Sequence, residues 1–519
     1  MQAESVIAEP TPSRPKRRDP FEAPDVSGNL RRSSVRGASF MSFSRIAGIG
    51  LRFLSTGILA RLVTQDSFGL ITMTAVISGF LTIFTDVGLT QATIQREQIN
   101  HRQISTLFWI NVALGLLLAA IFAASAPLVA QFYHRSELLT IIPILALSFV
   151  FGSLGLQHTA LLTRNQRYPL LAGVEVFSSL AGVVVAVWMA KQGGKEMGYW
   201  PLVALAVVPA FAKSAAAWIA LRWVPSLPSR GNGVKSMVKF GGDVLGFNIM
   251  NYFSRQADTM LISKYCGAIP GTFYDKAYNL LLMPVGQING PLGSVSIPAL
   301  SRLQKEPDRF RRYFLNSIQL VCSLSLPVIS AITLFADEVV RVWLGESWAA
   351  SATLFRLLAA AALIGGISNP AGWVLISLGM TKRYRWLGFA NSVVIVTAFV
   401  IGLLLGPKEP GQIGSSQGVA TAYSVVMILT FIPYWAWALK DTPVKLRSVL
   451  VTMLPPAISC LPAAAVAWWM KGLAAAHANP WLWTIAAMAS FGIVYAATLL
   501  FGFKKLDFFR RIASEFRSR

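Results

Sequence analysis

The chain is a succession of apolar runs, each about 20 residues long, joined by short polar connections. A helix of about 20 residues crosses the roughly 30 Å of bilayer hydrocarbon. Inside lipid the backbone must satisfy its own hydrogen bonds, which leaves helices and closed barrels as spanning structures. Runs of this length predict an all-α integral membrane protein. The helices fall near 38–62, 69–92, 104–131, 138–162, 168–190, 198–223, 239–264, 272–298, 313–336, 351–378, 384–406, 415–439, 447–470 and 478–502, about 14 in all. Only 13% of the 519 residues are charged, against about a quarter in soluble domains.

The connections are too short to hold a catalytic domain, so function is expected within the helices and no enzyme activity is expected. Cys266, Cys322 and Cys460 are far apart, and so are His101, His134, His158 and His477. Neither set has metal or disulfide spacing, and no metal or cofactor is expected.

The formal net charge is +23. Lys and Arg alternate along the helix map, with roughly 32 on one side and roughly 8 on the other. The positive-inside rule then predicts that both termini lie in the cytoplasm. It also accounts for most of the charge without a nucleic-acid partner. Residues 1–37 read as a disordered basic cytoplasmic tail and 503–519 as a basic C-terminal tail. Tryptophans 200, 343, 348, 481 and 483 fall near the outer boundary and read as an aromatic belt.

An internal repeat runs through the chain. "RFLSTGILAR" at 52–61 matches "RQADTMLISK" at 255–264. Arg52 and Arg255 are 203 positions apart, as are Arg61 and Lys264. The next helices open with "DSFGL" and "GTFYD", and further on lie "QR" at 95–96 and "SR" at 301–302. Two six-helix lobes of the same orientation follow, 38–223 and 239–439, joined by a linker at 224–238 and followed by two extra helices in 440–502. Parallel repeats of this kind are a transporter design with the site between the halves.

"SFGLITMTAVI", "FTDVGLTQATIQRE", "NYFSRQADTMLISKYCGA", "GTFYDKAYNLLLMPVGQI", "PALSRLQKEPDRFRRYF" and "LGESWAASATLFRLLA" resemble, in this order, the polysaccharide transporter family of the MOP superfamily, the Wzx type. The resemblance covers roughly 38–440. It implies a V-shaped, MATE-like helical transporter that flips an oligosaccharide on an undecaprenyl pyrophosphate carrier from the cytoplasmic to the periplasmic leaflet of the inner membrane. It implies lipid-linked oligosaccharide and membrane lipids as partners, along with a polysaccharide polymerase and export machinery. Two positions depart from the pattern: Thr259 stands where Asn is usual and Lys276 where Arg is usual. The basic tail is also outside it.

Charges at depth are costly, about 2.5–3.5 kcal/mol for a mid-membrane Arg on insertion scales, and face protein or a watery cavity. Arg45, Arg52, Lys213 and Arg255 are the candidates for a cationic, substrate-binding cavity, since guanidinium matches phosphate oxygens bidentately. Arg45 and Arg52 are seven apart and share a helix face. Lys276 and Arg356 lie near the outer interface and can snorkel. Asp86, Glu175, Asp243 and Asp258 are candidates for ion coupling, with salt-bridging to the cations and an Arg255–Asp258 pair as the structural alternative. Pro284, Pro291 and Pro298 recur every seven residues and mark a helix able to bend. A peptidoglycan-precursor flippase or a cation-coupled antiporter on the same frame remains open. A membrane polymerase or ligase is disfavoured, because Asp337 and Glu338, read as a solvated helix end, form the one acidic pair of the outer connections.

Overall fold

A computed structural model describes residues 30–85, 89–95, 99–193, 197–228, 256–407, 414–474 and 480–517. Asp86, Asp243 and Arg255 lie outside the described residues. The described chain is helical, with no strand. In order, the helices are α1 (Leu30–Leu62), α2 (Gln65–Thr82), α3 (Leu89–Gln95), α4 (His101–Ala124), α5 (Ala126–Tyr133), α6 (Leu138–Arg164), α7 (Tyr168–Gly193) and α8 (Trp200–Leu221). They continue with α9 (256–265 of the described residues), α10 (Ala268–Arg302), α11 (Pro307–Leu334), α12 (Ala336–Trp343), α13 (Ala349–Ser368), α14 (Pro370–Ser377), α15 (Thr381–Leu405), α16 (Ser416–Leu439), α17 (Leu446–Ala474), α18 (Pro480–Ala497) and α19 (Leu506–Arg517).

Eleven stretches are long and apolar enough to cross a membrane among the described residues. The protein is an integral membrane protein. α2 and α10 are helical but fall outside that set, and their environment explains why. In α2 only Ala75 and Thr82 are exposed. α10 carries Asp275, Lys276, Asn279 and Asn289, three of them buried or half-buried. Helices that meet protein on most sides have no need of a lipid-facing composition.

Several expectations are corrected. α1 begins at Leu30, inside the stretch read as a disordered tail. Apolar runs locate lipid, whereas Leu, Arg and Ala extend a helix beyond it. The basic C-terminal stretch forms the helix α19, with Phe509 half-buried on one side and Asp507 and Arg511 exposed on the other. Two spans expected as single helices are divided: α4 from α5 at Ser125, and α13 from α14 at Asn369, where Pro370 opens the next turn. α11 ends at Leu334, close to the expected 336, and the short α12 follows it. Trp348 is fully buried and Trp343 half-buried, so neither belongs to an aromatic belt. Asp337 is exposed, as a solvated helix end requires, whereas Glu338 is half-buried, and both are paired. Asp337 pairs with Arg356, and Glu338 pairs with Lys471 at 2.9 Å.

α1 packs along α7, α7 along α8, α8 along α6 and α6 along α4. α10 packs along α11 and α13, α13 along α16 and α16 along α15, while α17 and α18 lie beside α11. The principal junction between these series is α2 against α10. Close approach there depends on Gly69, whose missing Cβ would stand 2.6 Å from Ala268 Cβ and 2.7 Å from its carbonyl oxygen. Small residues let helix backbones meet where lipid offers no hydrophobic drive to association. One buried cluster gathers Leu59 of α1, Phe68 of α2, Ile262 of α9, Tyr274 of α10, Val340 of α12 and Phe355 of α13. It closes the end of the bundle that carries the α1–α2 turn.

Gly69→Leu is expected to force α2 from the Ala268 backbone and destabilise the protein by about 1–3 kcal/mol. Gly48→Leu, whose Cβ meets nothing within 4 Å, should leave stability unchanged. Thermal denaturation in detergent, followed by size-exclusion chromatography, compares the two.

Candidate functional site

The faces of α1 locate the deep cations. Phe43, Leu54 and Ile58 are exposed apolar residues that share one side of the helix. Arg45 and Arg52, at 100° per residue, lie on the opposite side. Both are exposed, on the side of α1 away from that apolar stripe. No acid pairs with either among the described residues. The Arg stripe continues one heptad on at Leu59, which is fully buried in the closing cluster. Arg52 is ten residues from Leu62, about 15 Å along the axis. Both arginines therefore lie beneath the closed end.

The neighbouring helices repeat the pattern. In α7 the exposed stripe is Phe177, Val184 and Trp188, and Glu175 lies across the helix from it. In α8 Phe211 and Ile219 are exposed, and Lys213 lies on the other side. Lys213 Nζ meets Glu175 Oε1 at 2.5 Å, with side chains 41% and 39% exposed. This pair is solvated without facing the apolar stripes. Of the four expected cavity cations, Arg45, Arg52 and Lys213 thus share the non-lipid faces of adjacent helices. Lys213 is neutralised by an acid that was itself a coupling candidate.

Asp258 is 1% exposed in α9. Its carboxylate accepts from Tyr274 Oη of α10 at 2.9 Å and from the Thr259 amide at 2.7 Å. Pro284, Pro291 and Pro298 lie within α10, which runs unbroken past all three. Lys276 pairs with Asp275 at 3.0 Å and lies 5.3 Å from the Phe68 ring centroid. It is a structural contact rather than a free snorkelling charge.

The closed end is held by polar contacts that sequence reasoning missed. Arg61 Nη2 donates to the Val342 carbonyl of α12 at 2.5 Å. Lys264 Nζ donates to the Phe132 carbonyl of α5. Arg61 and Lys264 are the repeat-related cations, and α5 and α12 are both eight-residue helices that follow a long span. α1 thus caps a carbonyl of α12, and α9 caps one of α5. Trp343 Nε1 donates to the Phe53 carbonyl at 2.8 Å and its ring stacks on Phe53 at 4.5 Å. Trp348 Nε1 donates to the Ala60 carbonyl at 3.0 Å, and Gln65 bonds the Ser347 carbonyl. The common 203-residue spacing was the sequence signal for Arg61 and Lys264.

Beside this latch, Arg135 bonds Asp66 in a fork of 2.8 and 2.5 Å and also reaches Glu137 at 2.9 Å. The bonded Asp66 carboxylate raises the Arg135 pKa, and Arg135 in turn holds Glu137 below the usual carboxylate range. The turn between α5 and α6 is thereby fastened to the start of α2.

Comparison with known proteins fits this arrangement. The chain is 25% identical to the lipopolysaccharide biosynthesis protein WzxC of Escherichia coli (strain K12), over 78% of this chain and 81% of that protein. It is 23% identical to the succinoglycan biosynthesis transport protein ExoT of Rhizobium meliloti (strain 1021), over 93% of this chain and 96% of that protein. Its fold is similar to that of the lipid II flippase MurJ in an inward closed conformation, with a TM-score of 0.68 at 12% identity, covering 91% of this chain and 99% of that one. The family model described as polysaccharide biosynthesis protein matches residues 58–353, the stretch holding both repeat-related cations, both short helices and the latch tryptophans. The chain belongs to that polysaccharide biosynthesis protein family.

Proposed function

We propose that this protein is a flippase that carries undecaprenyl pyrophosphate-linked oligosaccharide units from the cytoplasmic to the periplasmic leaflet. The observation that carries the reading is the Arg45–Arg52 stripe, exposed and unpaired among the described residues, on the face of α1 opposite its apolar one. A diphosphate cannot cross hydrocarbon bare. Two guanidinium groups along one helix offer it successive bidentate partners in a solvated opening. The names of WzxC, ExoT and MurJ support the same class of cargo.

In this reading α2, α9 and α10 also cross the bilayer, which makes fourteen spans. The α1–α8 series forms one lobe and the α9–α16 series the other, with α17 and α18 as an appendage. The alternation of Lys and Arg places both termini in the cytoplasm. The latch then closes the periplasmic side while Arg45 and Arg52 face a cytoplasmic opening. Transport requires the latch to release and the opposite ends of the lobes to approach, and Pro284, Pro291 and Pro298 suit α10 to bending between them. Arg255 is the counterpart of Arg52 in the second lobe.

Glu175 and Asp258 are the described candidates for coupling to a proton or sodium gradient. Glu175 can exchange Lys213 for a cation, and Asp258 is a buried carboxylate with two neutral donors. A peptidoglycan precursor carries the same pyrophosphate, so only the sugar moiety separates that alternative. The cationic stripe disfavours a carrier of cationic drugs.

Arg52→Ala is expected to lower transport of the lipid-linked repeat about tenfold or more, with Arg45→Ala and Arg255→Ala acting in the same direction and membrane insertion preserved. Polymer export by inserted variants, in a strain lacking the native chain, measures this. Cysteines replacing Arg61 and Val342, joined by a short bifunctional thiol reagent, should arrest export, with recovery when the link is cleaved. The native cysteines are all buried and should not react. In vesicles, Asp258→Asn should abolish stimulation of flipping by an imposed proton or sodium gradient. Equal stimulation in variant and parent would remove Asp258 from coupling.

A further inference from the structure

A second cavity lies away from the arginine stripe. It measures about 330 Å³ and is walled by α10, α13, α15 and α16. That volume is in the range of small-molecule sites, about 300–1,000 Å³. It extends along α15 from Arg385 to Phe399, about 20 Å by helix rise. Arg385 is four residues from the start of α15 and Tyr434 five from the end of α16. One mouth therefore opens at the end of the bundle opposite the latch.

The lining has an unusual composition for a membrane interior. Tyr278, Tyr384, Tyr423 and Tyr434 supply rings, and Asn369 and Asn391 supply amides. Tyr278 stacks on Tyr274 with centroids 5.9 Å apart, and Phe399 meets Tyr423 edge-on at 5.2 Å, so the ring wall is held from behind. Among the described residues, the side chains of Asn369, Asn391 and Arg385 make no hydrogen bond. The described lining holds no Asp or Glu and one cation, Arg385.

Each of these facts narrows the ligand. A cationic ligand would lack a counter-charge. A polyprenyl chain would leave two amides and a guanidinium unpaired against hydrocarbon, which is unfavourable. Sugars present apolar C–H faces and a rim of hydroxyl groups. Amphipathic tyrosine rings take such faces, and amides donate to and accept from hydroxyls. Three glycines keep the space clear. A Cβ on Gly286 or Gly388 would meet nothing within 4 Å, and one on Gly365 would only touch Met427 at 3.7 Å.

We propose that this cavity binds the saccharide part of the cargo, apart from the arginines that hold the pyrophosphate, with Arg385 placed for an acidic substituent. The identity of the sugar rests on the flippase reading; the site's saccharide chemistry does not. Charge and sugar are then recognised by different lobes, and only a cargo carrying both bridges the two.

The test uses the full chain in nanodiscs and two probes. The first is the oligosaccharide released by mild acid from lipid-linked intermediates that accumulate in a strain lacking this protein. The second is undecaprenyl pyrophosphate without sugar. Gly388→Leu and Gly286→Leu should fill the cavity from positions where an added Cβ meets nothing within 4 Å, and Tyr423→Leu and Asn391→Leu should strip it of contacts. Calorimetry is expected to show the free oligosaccharide binding the parent and weakening about tenfold or more in these variants. Binding of the sugar-free lipid should stay unchanged in them and fall in Arg52→Ala. Oligosaccharide affinity unaltered by both leucine fillings overturns the proposal, as does a parent that flips the lipid-linked repeat yet does not bind the free sugar. A parent that binds the oligosaccharide in this cavity but flips nothing upholds the site and rejects the flippase reading.

Discussion

A charge in hydrocarbon is so unfavourable that every deep cation must have somewhere else to point, and that constraint organises this protein. α1 meets it by having two faces. Its apolar side carries Phe43, Leu54 and Ile58, and its cationic side carries Arg45 and Arg52. α7 and α8 do the same with Glu175 and Lys213. Three adjacent helices with polar sides turned from lipid need a watery space between them and the rest of the bundle. The opening is thus a consequence of insertion energetics before it is a feature of any transport cycle.

The difference between Lys213 and the arginines follows from the same constraint. Lys213 has Glu175 beside it, and a solvated pair of this kind is worth about 1 kcal/mol or less. Such a pair can be exchanged during a cycle without large penalty. Arg45 and Arg52 have no such partner among the described residues, and in the proposed function they hold their charge for an incoming anion. Arg is suited to this because its guanidinium is planar, weakly hydrated and always protonated.

Much of this was legible in the sequence, for identifiable reasons. Apolar runs gave the spans because bilayer thickness sets one length for all of them. The arginine stripe was legible because a seven-residue spacing returns to one helix face. Helix breaks at Ser125 and Asn369 were not, since hydropathy averaged over a span does not register a one-residue hinge. Trp343 and Trp348 were misread as lipid anchors because distance from a span's end does not distinguish lipid headgroups from another helix. Arg61 and Lys264 were recognised as repeat markers, yet their role needed the carbonyls of Val342 and Phe132, far away in sequence. The tyrosine cavity was invisible for a related reason, since its walls come from four helices spread over some 150 residues.

The latch has the strength that the proposed cycle asks of a gate. Its contacts run mainly from side-chain N–H groups to backbone carbonyls, and each contributes about 0.5–1.5 kcal/mol net. Arg61, Gln65, Lys264, Trp343 and Trp348 together supply a few kcal/mol. Moving a two-state equilibrium from about 1:99 to 99:1 needs about 5.5 kcal/mol of differential binding. A diphosphate that gains guanidinium partners in one state and loses them in the other can supply that much. Deep, interlobe ion pairs between arginine and carboxylate would be far harder to release, because breaking them strands a charge in a medium that cannot solvate it. Carbonyl acceptors avoid the difficulty, since water at an opening bundle end can replace the protein donor. The reciprocal placement of Arg61 and Lys264 adds a geometric condition. In the proposed cycle both must let go together, so that the two lobes part as a unit instead of fraying at one edge.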